Sequence, residues 1–140
     1  MKATNTICLM TLLALPAYGQ SRCLGEPKLS VAEEAKVSAA VIVGEAVAEK
    51  DLFENPEAPG AVTARLYRVG VEETLRGRVP GTIDVRSENT PARFVMNRSE
   101  RYVLFLQPDA KAYAVDACGS SGPLKERRKI VEELRGMKRM

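Results

Sequence analysis

Hydrophobic residues along this chain fall in short runs, and these runs predict five β-strands between two helices. Turns and loops that contain glycine or proline separate most of the runs. The expected strands cover residues 39–47, 62–75, 82–86, 102–106 and 112–117. The fourth run is apolar at every position, which predicts a strand covered on both faces. A short apolar stretch at 94–96 is expected to form one more short strand or a plug that packs on the core.

Two helix signals flank the predicted strands. Ser30 and Glu33 form a capping box, in which each side chain can bond the backbone amide of the other residue, so a helix is expected over about 31–38. Near the other end of the chain, Pro123 fits a first helical turn and Gly136 fits a helix end. The apolar stripe between them consists of Ile130, Val131 and Leu134. This stripe predicts that the second helix packs one face on the sheet.

The second predicted strand changes phase along its length. Val62, Ala64 and Leu66 share one face, whereas Val69, Val71 and Leu75 share the other. Side chains alternate strictly along a strand, so a bulge or sharp coil is expected near 66–70. Small closed barrels need strands that coil in this way. We therefore expect a mainly β fold with flanking helices, a five-stranded OB-fold-like Greek-key barrel.

The first nineteen residues have the pattern of a secretory signal peptide. Lys2 precedes an apolar core at 7–15, and Ala17 and Gly19 are the small residues expected before a cleavage site. This segment is too short to span a membrane, and the chain has no later apolar run of that length. No lipid-anchoring motif precedes Cys23. The sequence thus predicts a signal peptide at 1–19 and one exported domain at 20–140, periplasmic or extracellular.

Charge and composition argue against several classes of function. Removing Lys2 with the signal lowers the net charge from +3 to +2, which is too near neutral to indicate a nucleic-acid partner. The chain has no histidine, so histidine-based nucleophile systems and the usual zinc sites are excluded. Glu72 and Glu73 are strand neighbours that point to opposite faces, and Glu33–Glu34 is expected on a solvated helix face. We expect no enzyme, no catalytic residue, no metal and no cofactor.

Two cysteines remain after the signal peptide is removed. Cys23 and Cys118 stand near the two ends of the predicted domain, and in an oxidising compartment they can form one intramolecular disulfide. Two unrelated buried thiols, or a bond from Cys23 to another chain, are the alternatives.

Binding remains as the expected function, and the sequence offers two places for it. A loop at 51–60 contains two prolines and carries an acidic excess, and long loops often carry binding residues. The face of an OB barrel can instead bind an oligosaccharide or single-stranded nucleic acid. The residues considered for that face are Arg65, Tyr67, Arg68, Phe94 and Arg98. Alternatively, both aromatic rings belong to the core, or the protein is a structural component of the cell envelope.

Several segments in order resemble the tissue-inhibitor-of-metalloproteases and netrin-like domain family, in its compact bacterial form. The resemblance rests on Cys23 and on residues 40–47, 69–77, 102–106 and 113–119. It implies an OB-fold barrel that is secreted and acts by binding proteins. In the eukaryotic inhibitors, the N-terminal cysteine chelates the protease zinc, the next residue enters the specificity pocket, and the loop between the first two strands extends the contact.

This chain departs from that pattern at its start. Three residues, 20–22, precede Cys23 after the expected cleavage, so Cys23 has no free amine for zinc chelation. The resemblance therefore implies a role for Cys23 as disulfide anchor with Cys118, and for Leu24 as a pocket residue. In the loop, it implies contacts from Phe53, Glu54, Asn55 and Glu57. We expect a non-enzymatic, monomeric protein-binding module of metalloprotease-inhibitor-like type, whose partner is a protease or an envelope protein.

Overall fold

A computed structural model describes Cys23 and residues 28–139 of the chain. The expected signal peptide and Leu24 lie outside these described residues. The helices and strands, in chain order, are α1 Val31–Val37, β1 Ala40–Leu52, β2 Ala64–Arg76, β3 Thr82–Glu88, β4 Arg101–Asp109, β5 Ala112–Val115, β6 Gly122–Pro123, a 3₁₀ turn Leu124–Glu126 and α2 Arg128–Lys138. The expectation of a mainly β fold with a short N-terminal and a C-terminal helix is confirmed.

The strands form one ring-like sheet. Its order is β1-β2-β3-β5-β4-β6, and a further pairing of β1 with β4 joins the two sides. Every pairing is antiparallel except that of β3 with β5, where Val85 lies opposite Tyr113. The first half of β1 pairs with both β2 and β4, and its second half continues with β2 alone as a hairpin. This hairpin carries the loop expected to bind a partner.

Alternation along β1 and β4 supplies two hydrophobic cores. The inner core lies inside the ring and consists of Ala40, Ile42, Ala46, Tyr67, Val69, Ile83, Val85, Met96, Tyr102, Leu104 and Leu106. The outer core lies under the helices and consists of Ala35, Val41, Val43, Leu75, Val103, Phe105, Val131 and Leu134. Successive residues of β4 enter different cores, so the prediction of a strand covered on both faces is confirmed.

Three bulges interrupt the pairing of β1 with β2, and one of them lies at the predicted level, opposite Arg68 and Val69, although its extra residue is in β1. Cross-strand pairing passes over Glu72 and Leu75 in β2, and over Val47 in β1 opposite Arg68 and Val69. Because of these bulges, Val69 lies in the inner core and Leu75 in the outer core, so their predicted common face is wrong. A hydrophobic pattern shows that a strand changes phase, but the extra residue can lie on the neighbouring strand.

The first helix begins as its sequence signal predicts, whereas the second helix differs from its predicted start and end. The amide of Glu33 donates to Ser30 Oγ, and the amide of Ser30 donates to the Glu33 carboxylate, which confirms the capping box. Pro123 belongs to β6 because Tyr102 of β4 pairs with it. Gly136 lies inside α2, so its predicted role as helix end is wrong. Residues 94–96 form a plug on the inner core rather than a strand.

A helical side of the molecule, formed by α1, α2 and residues 116–122, is held together by polar contacts and one covalent bond. A disulfide joins Cys23 to Cys118, with 5.5 Å between their Cα atoms. Glu34 of α1 is only 7 % exposed, and its carboxylate oxygens accept hydrogen bonds from the Ser120 amide at 2.9 and 3.1 Å. The expectation that Glu34 lies on a solvated face is wrong, since α1 packs this side chain against the segment after β5.

Candidate functional site

The loop between β1 and β2, residues 53–63, is braced at its base by Thr63. The Thr63 amide donates to the Leu52 carbonyl at 2.8 Å, and the Thr63 hydroxyl donates to the same oxygen at 3.1 Å. The hydroxyl also accepts the amide of Glu54 at 3.1 Å. One side chain thus ties both ends of the loop to the hairpin.

Within the loop, Asn55 organises the backbone. Its side-chain oxygen accepts the amide of Glu57 at 3.0 Å, and its carbonyl accepts the amide of Ala58 at 3.1 Å. The first of these is an Asx turn, in which an asparagine side chain takes the place of a backbone acceptor. A second turn follows, where the Ala61 amide donates to the Ala58 carbonyl at 3.0 Å. Two successive turns therefore give the loop a defined shape.

The four loop residues expected to contact a partner differ in their exposure and in the contacts that they already make within the protein. Phe53 is an aromatic residue that is 54 % exposed. The Glu54 carboxylate pairs with Arg86 at 2.6 Å, and Glu88 followed by Glu54 raises the pKa of that guanidinium. Asn55 uses its side-chain oxygen inside the loop. Glu57 is exposed, and its carboxylate forms no hydrogen bond or ion pair with the residues that the structure describes.

A pocket of about 240 Å³ opens beside the loop, and we call it the hairpin-end pocket. Its lining residues are Val62, Arg65, Tyr67, Ser87, Asn89, Arg93 and Val95. The Asn89 side-chain amide donates to the Val62 carbonyl at 3.0 Å, and the Asn89 backbone amide donates to the Thr63 carbonyl at 3.0 Å. The loop base and the pocket therefore share one edge.

The hairpin-end pocket continues the interior of the ring. Tyr67 lies opposite Val85 and Arg65 lies opposite Ser87, without a register shift between these pairs. Because side chains alternate, Arg65 and Ser87 stand in the same inward-facing rows as the inner-core residues Tyr67 and Val85. The inward-facing residues of β2 and β3 are therefore apolar within the inner core and polar at the hairpin-end pocket.

The polar groups of the pocket are partnered to different degrees. Arg65 Nε donates to Asp51 at 2.7 Å, and the Asp51 carboxylate, with a smaller contribution from the Tyr67 hydroxyl, raises the pKa of Arg65. Arg93 donates to the Asn89 side-chain oxygen at 3.3 Å, and no described carboxylate lies within ion-pair distance of it. Ser87 is 8 % exposed, and its hydroxyl has no hydrogen-bond partner among the described residues.

Ser87, Asn89 and Arg93 were not predicted as pocket residues, because the predicted third strand ended at Arg86. The strand extends to Glu88. The useful signal is the alternation of Ile83, Val85 and Ser87, which places a hydroxyl where the pattern calls for an apolar side chain.

The residues considered for a nucleic-acid or oligosaccharide face do not form an exposed aromatic surface. Tyr67 is 2 % exposed in the inner core, and Phe94 packs edge-on against Tyr102 with 6.1 Å between ring centroids. Arg68 pairs with Asp84 at 3.3 Å, and Arg98 lies outside the hairpin-end pocket. The placement of both rings agrees with their alternative assignment to the core or its rim.

Over Cys23 and residues 28–139, no group of three or more histidine, cysteine, aspartate or glutamate side chains could hold a metal ion. The same residues contain no helix that is both long and apolar enough to cross a membrane. No known protein family matches the chain, and no curated protein matches it either.

Proposed function

We propose that this protein is an exported, non-enzymatic protein-binding module built on an OB-fold barrel of the tissue-inhibitor and netrin-like kind. The ring-like strand order, with a parallel β3–β5 contact and helices packed outside, supports the barrel. The Cys23–Cys118 disulfide supports export, because such bonds persist in oxidising compartments. A protease or an envelope protein is the partner class that the resemblance favours.

The exposure of Phe53 on a braced loop carries this proposal. Large aromatic residues contribute much of the binding energy in protein interfaces when they enter a pocket on the partner. The Thr63 brace and the Asn55 turn hold the loop in one shape, so less conformational freedom is lost on binding. Glu57 adds an unpaired negative charge nearby. The expected partner surface is an apolar pocket with a basic residue on its rim.

Site-specific photo-crosslinking in the producing cells tests the proposal. A photoreactive amino acid replaces Phe53 in one variant and Val37 in the other. Val37 is a suitable control because it is 64 % exposed on α1, and the length of the extended strand β1 lies between it and the loop. We expect a crosslinked protein from position 53 that is missing from position 37. Identical products from the two positions, or no product from position 53, would contradict the proposal.

Binding measurements with the purified crosslinked partner then separate the loop residues. We expect Phe53→Ala to weaken binding by about tenfold or more, and Glu57→Lys to weaken it less, by slowing association with a basic rim. Val37→Ala should bind like the wild type. Equal affinities for all three variants would place the interface elsewhere on the protein.

A further inference from the structure

We propose that the hairpin-end pocket binds a carboxylate group attached to a short aliphatic chain. The ligand is either a free small acid or the C-terminal residue of a peptide. This inference does not depend on the partner proposed for the Phe53 loop, because it rests on the pocket residues alone.

The position of the pocket is the first support. It lies where the inward-facing rows of β2 and β3 leave the inner core, and mouths of closed or ring-like sheets are common ligand sites. Polar residues at core-facing positions are unfavourable unless they serve a function. Arg65 and Ser87 occupy two such positions directly opposite each other.

The Ser87 hydroxyl is the second support. It is a buried donor, and within the described part of the chain it has no hydrogen-bond partner. Buried polar groups in folded proteins almost always have a partner, so an exception requires an explanation. An oxygen of a ligand inside the pocket would supply the missing acceptor.

Charge selects a carboxylate as that ligand group. Two guanidinium groups line the pocket, and no aspartate or glutamate is among its described lining residues. Asp51 already pairs with Arg65, so among the described pocket residues the Arg93 guanidinium is the charge without an ion-pair partner. A planar guanidinium matches a carboxylate geometrically, and one cation balances one negative charge better than two.

Size and the apolar walls restrict the rest of the ligand. The volume of about 240 Å³ is below the range typical of drug-sized ligands, so a group of about one amino-acid residue fits. Val62 and Val95 supply apolar surface beside the polar groups. A short branched aliphatic chain next to the carboxylate would contact them.

Nuclear magnetic resonance titration of the full chain, with its disulfide formed, tests the inference. The probes are N-acetylvaline and its uncharged amide, N-acetylvalinamide. We expect the acid to cause saturable shifts of the Ser87 and Asn89 amides and of the Arg93 Nε–H signal, and the amide to cause none. Equal responses to acid and amide, or no saturation with the acid, would overturn the inference. Inorganic phosphate binding as tightly as the acid would also overturn it.

A second pair of probes distinguishes the two ligand sources. Acetyl-Gly-Gly-Val with a free C-terminus is compared with N-acetylvaline. Tighter binding of the peptide acid supports a chain terminus as the ligand, because residues before the valine then add contacts. Equal or weaker binding of the peptide acid supports a free small acid.

Variants connect binding to the named groups. We expect Ser87→Ala to weaken acid binding by about tenfold, the effect of one hydrogen bond to a charged acceptor, and Arg93→Gln to weaken it by more than that. Arg98→Gln removes a charge outside the pocket and should leave binding unchanged. Removing an unbonded hydroxyl should not impair folding, so a loss in Ser87→Ala reports on the ligand. Wild-type affinity in both pocket variants would overturn the inference.

Discussion

The helical side and the hairpin end both bury polar side chains, but they treat them differently. On the helical side, the Glu34 carboxylate accepts the Ser120 amide, and the Ser121 hydroxyl accepts the Phe105 amide at 2.8 Å. At the hairpin end, the Ser87 hydroxyl has no partner among the described residues. Burial of a polar group stabilises a fold only when its hydrogen bonds are replaced. The polar groups of the helical side therefore stabilise the fold, whereas the Ser87 hydroxyl at the hairpin end remains able to form a hydrogen bond with a ligand.

On the helical side, the residues around Glu34 are closely packed. A Cβ atom at Gly119 would overlap the Glu34 carboxylate, so a larger residue there would displace this hydrogen-bonded group. Arg127 Nε donates to the Ser120 carbonyl at 3.2 Å, on the other side of the same peptide segment. The carboxylate on α1 and the guanidinium just before α2 thus both hold the segment that contains Cys118.

Removing the disulfide should have the largest effect on stability. The bond closes a loop of 95 residues, and chain entropy predicts that the Cys23→Ser/Cys118→Ser variant loses about 4–5 kcal/mol of unfolding free energy. Urea denaturation of wild type and variant measures the difference. A reducing agent should lower the stability of the wild type towards that of the variant and leave the variant unchanged. Coinciding curves without the reducing agent would show that the helical side needs no covalent tie.

Removing the Glu34 carboxylate should have the next largest effect. Glu34→Ala leaves the buried Ser120 amide without an acceptor, and we expect a loss of about 2–3 kcal/mol of unfolding free energy. Glu34→Gln retains an acceptor oxygen and should lose less. Glu132→Ala is the control, since this exposed residue makes only a surface pair with Arg135 and should change stability by less than about 1 kcal/mol. Equal losses for Glu34→Ala and Glu132→Ala would remove the contrast between the two regions.

Tyr102 tests a partnered hydroxyl in the inner core. Burial raises its pKa from 10.0 to about 12, and the hydroxyl accepts the Asn97 amide at 2.6 Å and donates to Glu100 at 3.0 Å. Folding favours the neutral phenol, so its contribution is present below pH 10 and is lost as the pH rises towards about 12.

The expected loss for Tyr102 is about 2 kcal/mol of unfolding free energy across that pH range. Tyr102→Phe cannot titrate at this position, so its stability should depend less on pH than that of the wild type between pH 10 and 12. Denaturation at a series of pH values measures both slopes. Parallel pH profiles would mean that Tyr102 ionises equally easily in the folded and unfolded protein.

Two serine variants give the smallest and most direct comparison. Ser87→Ala removes a buried hydroxyl without a partner and should raise the unfolding free energy by about 1 kcal/mol. Ser121→Ala removes the acceptor of the Phe105 amide and should lower it by about 1 kcal/mol. Thermal and urea denaturation measure both variants under the same conditions. A loss of stability in Ser87→Ala would show that this hydroxyl has a structural role after all.

Local signals predicted the elements that local interactions stabilise. The capping box marks the start of α1 because its two hydrogen bonds join residues three apart. The apolar run at 102–106 indicates a strand between two layers, and it supplies both cores. One bulge lies at the predicted level of 66–70, but its extra residue, Val47, is in β1, because either of two paired strands can accommodate an extra residue.

One candidate site was predicted from local sequence signals, and the other was not. Composition and the proline pattern identified the loop after β1, and the structure adds that Thr63 and Asn55 give it shape. The hairpin-end pocket was missed, because Arg65 and Ser87 are separated by 22 residues in the chain and meet only through strand pairing. Glu34 was assigned to solvent because nothing near it in sequence indicates the Ser120 amide, 86 residues away.

By itself, the sequence determined the mainly β class, the two helices, and the pair of cysteines available to join its ends. These features depend on residue type and on periodicities of two or of about 3.6 residues, which short segments already contain. Only the tertiary structure decided which buried polar groups gain partners. Two groups far apart in the chain can form a hydrogen bond only after the sheet has closed into its ring and brought them together. In the folded protein the Ser120 amide reaches the Glu34 carboxylate, whereas none of the described groups forms a hydrogen bond with the Ser87 hydroxyl.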